Sequence, residues 1–380
     1  MTKSSVLILD LKGNINSRKT DSRIRHGMYA KRLSEVSIDK PLRLCVISSG
    51  ENFKKDSAEN IDFFEIKSSK LNLMGFVLKS LWIAKQENLR VPVIVCGDPW
   101  ESFLVSKIFS LVYRDNSKIQ VQVHGDVSDQ KWEENRFKHM IRSKLHNFAF
   151  NHADQVRAVS EKIADFVRFK NPNQEIVVTA IPINLEYRRQ KSFSNKHDSI
   201  KIGFFGRLHK DRGTENFIEF MRKLDSYRSD FSVVIAGNGP EEFRLRSELQ
   251  ALLGLNRVAF HGFLEQPDIW NCLSNLDVYF SLAPSESYGL GLRESVISGV
   301  PVISLDSNGA RDARKLFGEN WIRIVDTSIS PQSLSQKIDD SLVQAPYYDA
   351  FSIQEALNSD FLYVLIDSWY ALAESAEFDK

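Results

Sequence analysis

Short runs of β-branched and aliphatic residues return along this chain at intervals filled by helix-period segments, and they do so in two series. The first series is Val6–Asp10, Leu42–Ser48, Val93–Cys96, Gln120–His124 and Val156–Val159. Parallel neighbours can be joined only by a long connection that folds back over the sheet, so a repeated strand-and-crossover pattern predicts a parallel sheet covered by helices. A polar, basic stretch without periodicity, Arg188 to Asp198, ends the series. The pattern restarts at Ile200–Phe205 and continues through Ser232–Ile235, Val258–Phe260, Val278–Phe280 and Val302–Ser304. The expected fold class is therefore α/β, with two Rossmann-like, doubly wound domains over residues 1–190 and 199–350. Ligands of such sheets bind at the carboxyl ends of the strands, and two sheets facing one another place a substrate cleft between them.

A length of 380 residues suits two such cores, at roughly 150 residues per domain. Residues 351–380 form a third segment, in which Leu357, Phe361, Val364, Leu365, Trp369 and Leu372 make an apolar helical stripe. Such a stripe needs a surface to cover, and the N-terminal domain is the expected one. A hydrophobic share of 42% and a charged share of 26% are those of a globular protein rather than a disordered one. Cys45, Cys96 and Cys272 stand far apart inside apolar runs, which gives neither metal-ligand spacing nor an even disulfide framework, so they read as reduced core residues.

The opening MTKSSVLILDLKG has too short an apolar run for a signal peptide and reads as a buried strand. Leu71 to Ala84, the longest apolar helical stretch, is interrupted by Lys79 and falls short of the ~20 residues a membrane span needs. A cytoplasmic protein is expected. Residues 1–200 carry 33 Lys/Arg against 23 Asp/Glu, whereas residues 201–380 carry 17 against 26. This asymmetry has two readings: an anionic partner for the first half, or two halves attracting each other. Basic and apolar residues interleave from Lys131 to Phe150, which fits either a helix on an anionic membrane surface or an ordinary helix with a solvated basic face.

The chemistry concentrates after the strand Val278–Phe280, in Ser285-Glu286-Ser287-Tyr288-Gly289-Leu290-Gly291-Leu292-Arg293-Glu294-Ser295. A strand, a turn bearing Gly289 and Gly291, and a helix start make an anion site, because the glycines admit a ligand close to backbone and the first helical N–H groups lack partners. Glu286 and Glu294 bracket this turn, and carboxylates accept hydrogen bonds from sugar hydroxyls. By itself the segment is equally a tight turn with a capped helix. It is similar to the E-x7-E signature of family 4 glycosyltransferases, E-G-F-G-L-x-x-x-E-A followed by G-x-P-V. Glu286, Tyr288, Gly289, Leu290, Glu294, Gly299, Pro301 and Val302 match, while Ser287 and Ser295 depart.

The same resemblance extends to Gly206-Arg207 and Arg212-Gly213, where the family reads G-R-x-x-x-x-K-G. It implies that Arg207 and Arg212 neutralise the departing diphosphate of a nucleotide-sugar, which gathers negative charge in the transition state. Arg212 replaces a Lys, exchanging a point charge for a planar fork. His124 ends Gln120–His124, where the family has a His near the donor sugar whose ring or carbonyl supports charge at the anomeric carbon. Ala158-Val159-Ser160-Glu161 resembles the family's A-x-S-E, Gly237-Asn238-Gly239-Pro240 its G-x-G-P, and Phe260-His261-Gly262 its F-x-G. After Gly262 the backbone at Leu264 would meet the base. Gly237-Asn238-Gly239 lacks the third glycine of a dinucleotide fingerprint, so NAD is not expected.

Two regions depart from the family. Lys12-Gly13-Asn14 stands where a Gly-Gly loop is usual, followed by the basic stretch Arg18 to Arg25 and by His26-Gly27-Met28-Tyr29-Ala30 at a helix start. Gly13, Arg25, His26 and Asp126 are the candidate acceptor-binding residues. Asn308-Gly309-Ala310-Arg311-Asp312 replaces G-G-x-x-E, with Asp312 standing in for Glu in a structural role.

The resemblance implies a GT-B fold and a retaining, metal-independent glycosyltransferase. It would move a sugar from a nucleoside-diphosphate sugar to a hydroxyl of a glycan or lipid-linked acceptor, in polysaccharide or glycoconjugate synthesis. The resemblance implies that no metal is needed, and no acidic D-x-D at a strand end argues otherwise; no cofactor and no nucleic acid are expected. Its catalytic residues would be His124, Arg207, Arg212 and Glu286, and its donor-binding residues Gly206, Gly237, Leu264, Tyr288, Gly289, Leu290, Gly291 and Glu294. The alternatives are a nucleotide-sugar epimerase of the same fold and a silent nucleotide-binding scaffold. The inner face of the cell membrane is the surface that the basic N-terminal domain would meet.

Overall fold

The structure is a computed structural model that describes residues 3–15, 21–36, 41–58, 60–68, 72–125, 136–189, 199–344 and 350–378. By packing, the chain divides into two units, Met1–Pro182 with Leu357–Lys380, and Ile183–Ala356.

The first unit is built on an eight-stranded sheet of β1 (Lys3–Asp10), β2 (Arg43–Gly50), β3 (Lys54–Ala58), β4 (Ile61–Lys67), β5 (Leu89–Cys96), β6 (Lys118–Val123), β7 (Gln155–Ala158) and β8 (Ile176–Val178), in the order β3-β4-β2-β1-β5-β6-β7-β8. All neighbours are parallel except β3, which runs antiparallel to β4. The strand order reverses between β1 and β5, which sets the topological switch point there. Val6, Val46 and Val93 are fully buried, as strands covered on both faces require. Neither β3 nor β4 is expected from the sequence. β3, KKDSA, has almost no apolar content and is mostly exposed, a lysine-bearing edge of the kind that resists further pairing. β4 buries Asp62 against Arg43 of β2 (3.3 Å), which disguises a core strand as a polar one.

The long C-terminal helix Ala350–Phe378 contributes to both cores. Ala350 packs with Val302 and Trp321 of the second unit. Leu365, Ile366, Trp369, Leu372 and Ala373 pack with β1, β2 and β5 of the first. Val364, expected in the buried stripe, is exposed, and Ile366 and Ala373 take part instead. Trp369 is anchored twice: its ring meets Tyr29 edge-on at 5.8 Å, and its Nε1 donates to Gln120 Oε1 of β6 at 2.8 Å.

The second unit holds a six-stranded parallel sheet of β9 (Ile200–Phe205), β10 (Phe231–Ala236), β11 (Val258–Phe260), β12 (Val278–Ser281), β13 (Val302–Leu305) and β14 (Ile322–Val325), in the order β11-β10-β9-β12-β13-β14. This is the 3-2-1-4-5-6 order of a dinucleotide-type sheet, and its switch point lies between β9 and β12. Phe204, Phe217 and Phe280 pack ring to ring beneath it, Phe204 on Phe217 at 4.5 Å. Residues assigned above to the first domain pack here: Ile183 is buried with Trp270 and Ile297, and Arg188 Nε donates to Ile297 O at 2.9 Å. Cys45 and Cys96 are buried as expected and neither is in a disulfide, whereas Cys272 is only half-buried. Among the described residues no helix is long and apolar enough to cross a membrane.

Candidate active site

Three loops at the carboxyl ends of β9, β10 and β11 are held together through backbone. Gly206 N donates to Ala236 O and Leu208 N to Asn238 O, both at 2.9 Å, and Gly237 N donates to Gly262 O at 2.6 Å. Gly237 has φ +132°, and a Cβ there would lie 1.8 Å from Gly206 O, so only glycine fits the crossing. Leu264 follows in the β11 loop and is half-buried. Within this frame Leu208 is buried and the Arg207 side chain projects outward, 66% exposed, its Nη2 3.5 Å from Asp211 Oδ2.

A 3₁₀ turn, Lys210–Arg212, comes next and is closed by Gly213 at φ +80°. A Cβ on Gly213 would sit 1.9 Å from Leu282 O, so the turn lies directly on the end of β12. That contact brings Arg212 to Glu286, with Nη1 3.0 Å from Oε2. Glu286 is itself fixed at two further points. Its Oε1 accepts from Gly289 N at 3.4 Å, and its carbonyl accepts from Gly309 N at 2.8 Å. Gly309 belongs to the helix Asn308–Phe317, which abuts the Glu286–Gly289 loop so closely that a Cβ there would meet Tyr288 C at 2.8 Å.

The helix Leu290–Ile297 starts from Gly289 in the left-handed region, φ 74°, with no side-chain cap. Its first N–H groups, from Leu290, Gly291 and Leu292, have no acceptor within the helix. Together with the helix dipole they offer donors that an anion could use beside the Arg212–Glu286 pair. Tyr288 is buried, and Glu294 is half-buried in the second turn.

Two residues missed by the sequence reading support this turn from below. Tyr279 on β12 donates its hydroxyl to Phe205 O at 3.0 Å, and a Cβ on Gly291 would come within 2.7 Å of that hydroxyl. Burial raises the Tyr279 pKa, and the carboxylates of Glu294 and Glu286 raise it further, so both acids share its neighbourhood. Arg293 is 5% exposed, donates from Nε to Tyr288 O at 3.1 Å and lies over the Tyr288 ring at 4.2 Å. Burial lowers its pKa, which the fields of Tyr288 and Asp312 oppose. Asp312 thus supplies countercharge to a buried arginine, a physical content for the structural role expected of it. A charge on the otherwise apolar face of Leu292, Val296 and Ile297 was the signal available for Arg293.

In the first unit, Asp10 closes β1 by accepting from Ile15 N at 2.8 Å and Ser48 Oγ at 2.6 Å, and Gly13 turns the loop at φ 70°. Arg25 and His26 do not lie at a helix start. The helix runs Asp21–Val36, so His26 is more than a turn inside it, where its Nδ1 donates to Ser22 O at 2.6 Å. Burial lowers the His26 pKa to about 4, with help from Arg25, Arg23 and Arg157 and against the pull of the Ser22 bond.

His124 follows β6, with Nε2 3.0 Å from Gln122 Oε1. The same oxygen receives Nη1 of the fully buried Arg157 at 3.1 Å. Desolvation lowers the His124 pKa well below 6.5, and Arg157, Arg25 and His26 push the same way. Because the residue keeps an open face to solvent, repulsion by the two arginines is the sturdier cause. Asp126 lies outside the described residues, as do residues 131–135 of the basic segment. The remainder of that segment forms the helix Arg136–His152, with Met140, Ile141 and Phe148 exposed and Ala149 and Phe150 buried. Among the described residues no three His, Cys, Asp or Glu side chains gather as metal ligands.

These loops sit in a stretch that is related to known enzymes. Residues 187–355 match the family glycosyl transferases group 1. The chain is 27% identical over 201 residues to an O-antigen biosynthesis glycosyltransferase, WclY, of Escherichia coli, covering 51% of this chain and 55% of that one. It is 23% identical over 189 residues to a 2-deoxystreptamine N-acetyl-D-glucosaminyltransferase of Streptomyces fradiae, covering 47% and 45%. The chain thus spans about half the length of these curated relatives. Among solved structures, sucrose-phosphate synthase of Thermosynechococcus elongatus aligns over 98% of this chain and 97% of its own, with a TM-score of 0.71 and 15% identity. Anabaena HepE in complex with UDP and glucose aligns over 99% and 100%, with a TM-score of 0.68 and 17% identity. The fold is GT-B.

Proposed function

We propose that this chain is a group 1 glycosyltransferase that moves a sugar from a nucleoside-diphosphate sugar to a hydroxyl of a glycan or lipid-linked acceptor, with retention and without a metal, as a family 4 enzyme. One observation carries the reading. At the switch point of the second sheet, an uncapped helix start lies beside the Arg212–Glu286 pair, where a diphosphate and a sugar can be held side by side. The donor's anomeric carbon loses its bond to the diphosphate and gains one to the acceptor oxygen, and the hydroxyl proton leaves with the diphosphate. Arg212 and Arg207 carry the charge that gathers on the leaving group. When donor arrives, Arg212 turns its guanidinium from Glu286 toward phosphate, and Glu286 is released to accept from sugar hydroxyls. Glu294 holds the ribose, Tyr288 to Gly291 present backbone to the phosphate, and Leu264 with Gly206 and Gly237 flanks the base. His124 supports the anomeric carbon as a neutral ring. Gly13, Arg25, His26 and Asp126 receive the acceptor, with the N-terminal unit at the inner face of the cell membrane.

UDP-sugars are the first donors to try, since HepE is described with UDP. Incubating the protein with nucleotide-sugars with and without an acceptor extract should release free nucleoside diphosphate only when acceptor is present. Release that is equal in both, or conversion of one nucleotide-sugar into its epimer, contradicts transfer. Binding of nucleotide without either outcome supports the scaffold alternative.

A further inference from the structure

Register across the first sheet sets Gln122 of β6 directly opposite Arg157 of β7. Gln120 and Gln122 lie two residues apart along β6 and so share one face of the sheet, and His124 follows where the strand ends, its ring against Gln122. Arg157 is fully buried in a strand whose neighbours Val156 and Ala158 are apolar. Among the described residues it has no carboxylate partner; its donors go instead to Thr179 O at 3.2 Å, Ala180 O at 2.6 Å and Gln122 Oε1 at 3.1 Å. A cation kept at such depth without an ion pair is unfavourable for stability alone, because an apolar side chain would fill the site without the desolvation. Its geometry therefore needs another reason.

We propose that Arg157 and Gln122 are positioning residues that fix the orientation and tautomer of His124. Arginine has donors only, so it can meet the Gln122 amide solely at oxygen. With the guanidinium held by two backbone carbonyls, a flipped amide would set N–H against N–H, and the flip is suppressed. The oxygen then also faces His124 Nε2 at 3.0 Å, which makes that nitrogen the donor. In the neutral ring Nδ1 is left as the acceptor, ready for a hydroxyl of the bound substrate. The polarity of the whole chain, from Arg157 through Gln122 to His124, is dictated at its buried end. The charged and titratable groups around the ring are Arg157, Arg25 and His26.

This inference rests on the role given to His124 above, and the test separates the two. The full-length protein, labelled with ¹⁵N-histidine, is compared with His124→Gln to assign the ring. The expected spectrum has a pyrrole-type Nε2 and a pyridine-type Nδ1. Gln122→Glu keeps an acceptor for both donors and should retain that tautomer with kcat within a few-fold of wild type. Gln122→Leu should mix the tautomers and lower kcat by ten-fold or more while KM for the nucleotide-sugar stays within about three-fold. The opposite tautomer in the wild-type ring overturns the proposal whatever the variants do, and so does a wild-type kcat in Gln122→Leu. Should Gln122→Leu fail to fold, the wild-type spectrum and Gln122→Glu still decide. A wild-type protein that transfers no sugar refutes the function and leaves the tautomer measurement standing on its own.

Discussion

At the scale of single residues, the Arg212–Glu286 pair is the most consequential contact. Each side chain holds the other where a charged ligand would displace one of them, so removing either should harm transfer more than folding. Arg212→Ala should lower kcat/KM by about 10²–10³-fold, the range seen when one donor to a developing oxyanion is deleted. Steady-state transfer with a matched thermal midpoint checks this, and a wild-type rate would remove Arg212 from the site. Glycines give a second prediction. Gly237→Ala drives a Cβ into Gly206 O, whereas Gly254, also left-handed at φ +81°, has nothing within 4 Å. In denaturant melts Gly254→Ala should cost backbone strain alone, about 1–3 kcal/mol, and Gly237→Ala that strain plus the clash, about 4 kcal/mol or more. Equal costs would mean that the loop crossing is not what fixes Gly237.

His26 offers a pH test. Its folded pKa of about 4 lies below the ordinary 6.5, so the unfolded chain takes up the proton first as pH falls. The stability it contributes is complete above 6.5 and is lost between there and about 4. His26→Gln should flatten the fall of the urea midpoint across that window, and an unchanged slope contradicts the assignment. What the sequence disclosed at this scale was the candidate turn: Glu286, Arg212 and the glycines stand in recognisable spacing, and the structure brings Arg212 and Glu286 together there. The supporting layer was hidden. Tyr279, Arg293, Gln122 and Arg157 read as ordinary strand or helix residues, because what distinguishes them is burial across strands and helices that are distant in sequence.

Among elements, the strands β9 to β13 of the second sheet were legible, since they are short, largely apolar runs bounded by polar turns. β14 was not, as Arg323 interrupts four residues; its burial is supported by the bond from its Nε to Ser341 Oγ at 2.7 Å. The start of the helix at Asp21 was misread for a related reason: its sequence is polar and basic, and its helicity is owed to packing of Tyr29, Ala30 and Leu33 rather than to pattern. The C-terminal helix was foreseen, but its buried face is rotated to admit Ile366 and Ala373. Trp369→Ala should destabilise the first unit by about 3–5 kcal/mol through lost packing and loss of the bond to Gln120. Calorimetry would resolve it as a lowered transition, and a cost under about 1 kcal/mol would mean that the helix is not needed for that core.

For the whole molecule, two sheets with separate cores share one chain that passes from the first unit to the second and returns through the C-terminal helix. The strand order of each sheet puts a group of candidate loops at a switch point, that of Gly13 in one and those carrying Gly206, Arg212 and Glu286 in the other. The doubled architecture was legible from periodicity, because alternation of strand and helix survives substitutions that erase identity. The placement of residues 183–189 was not, since only contact with Trp270 and Ile297 assigns them to the second unit. The central claim is that the second unit holds a nucleoside diphosphate at the Arg212–Glu286 turn. A ligand that binds only the folded state raises the thermal midpoint by mass action. A panel of nucleoside diphosphates and their sugars, run against wild type and Arg212→Ala, therefore tests it most directly. The account predicts a concentration-dependent rise with at least one nucleotide in the wild type and a strongly reduced rise in Arg212→Ala. No rise with any member of the panel, or an equal rise in both proteins, would contradict it.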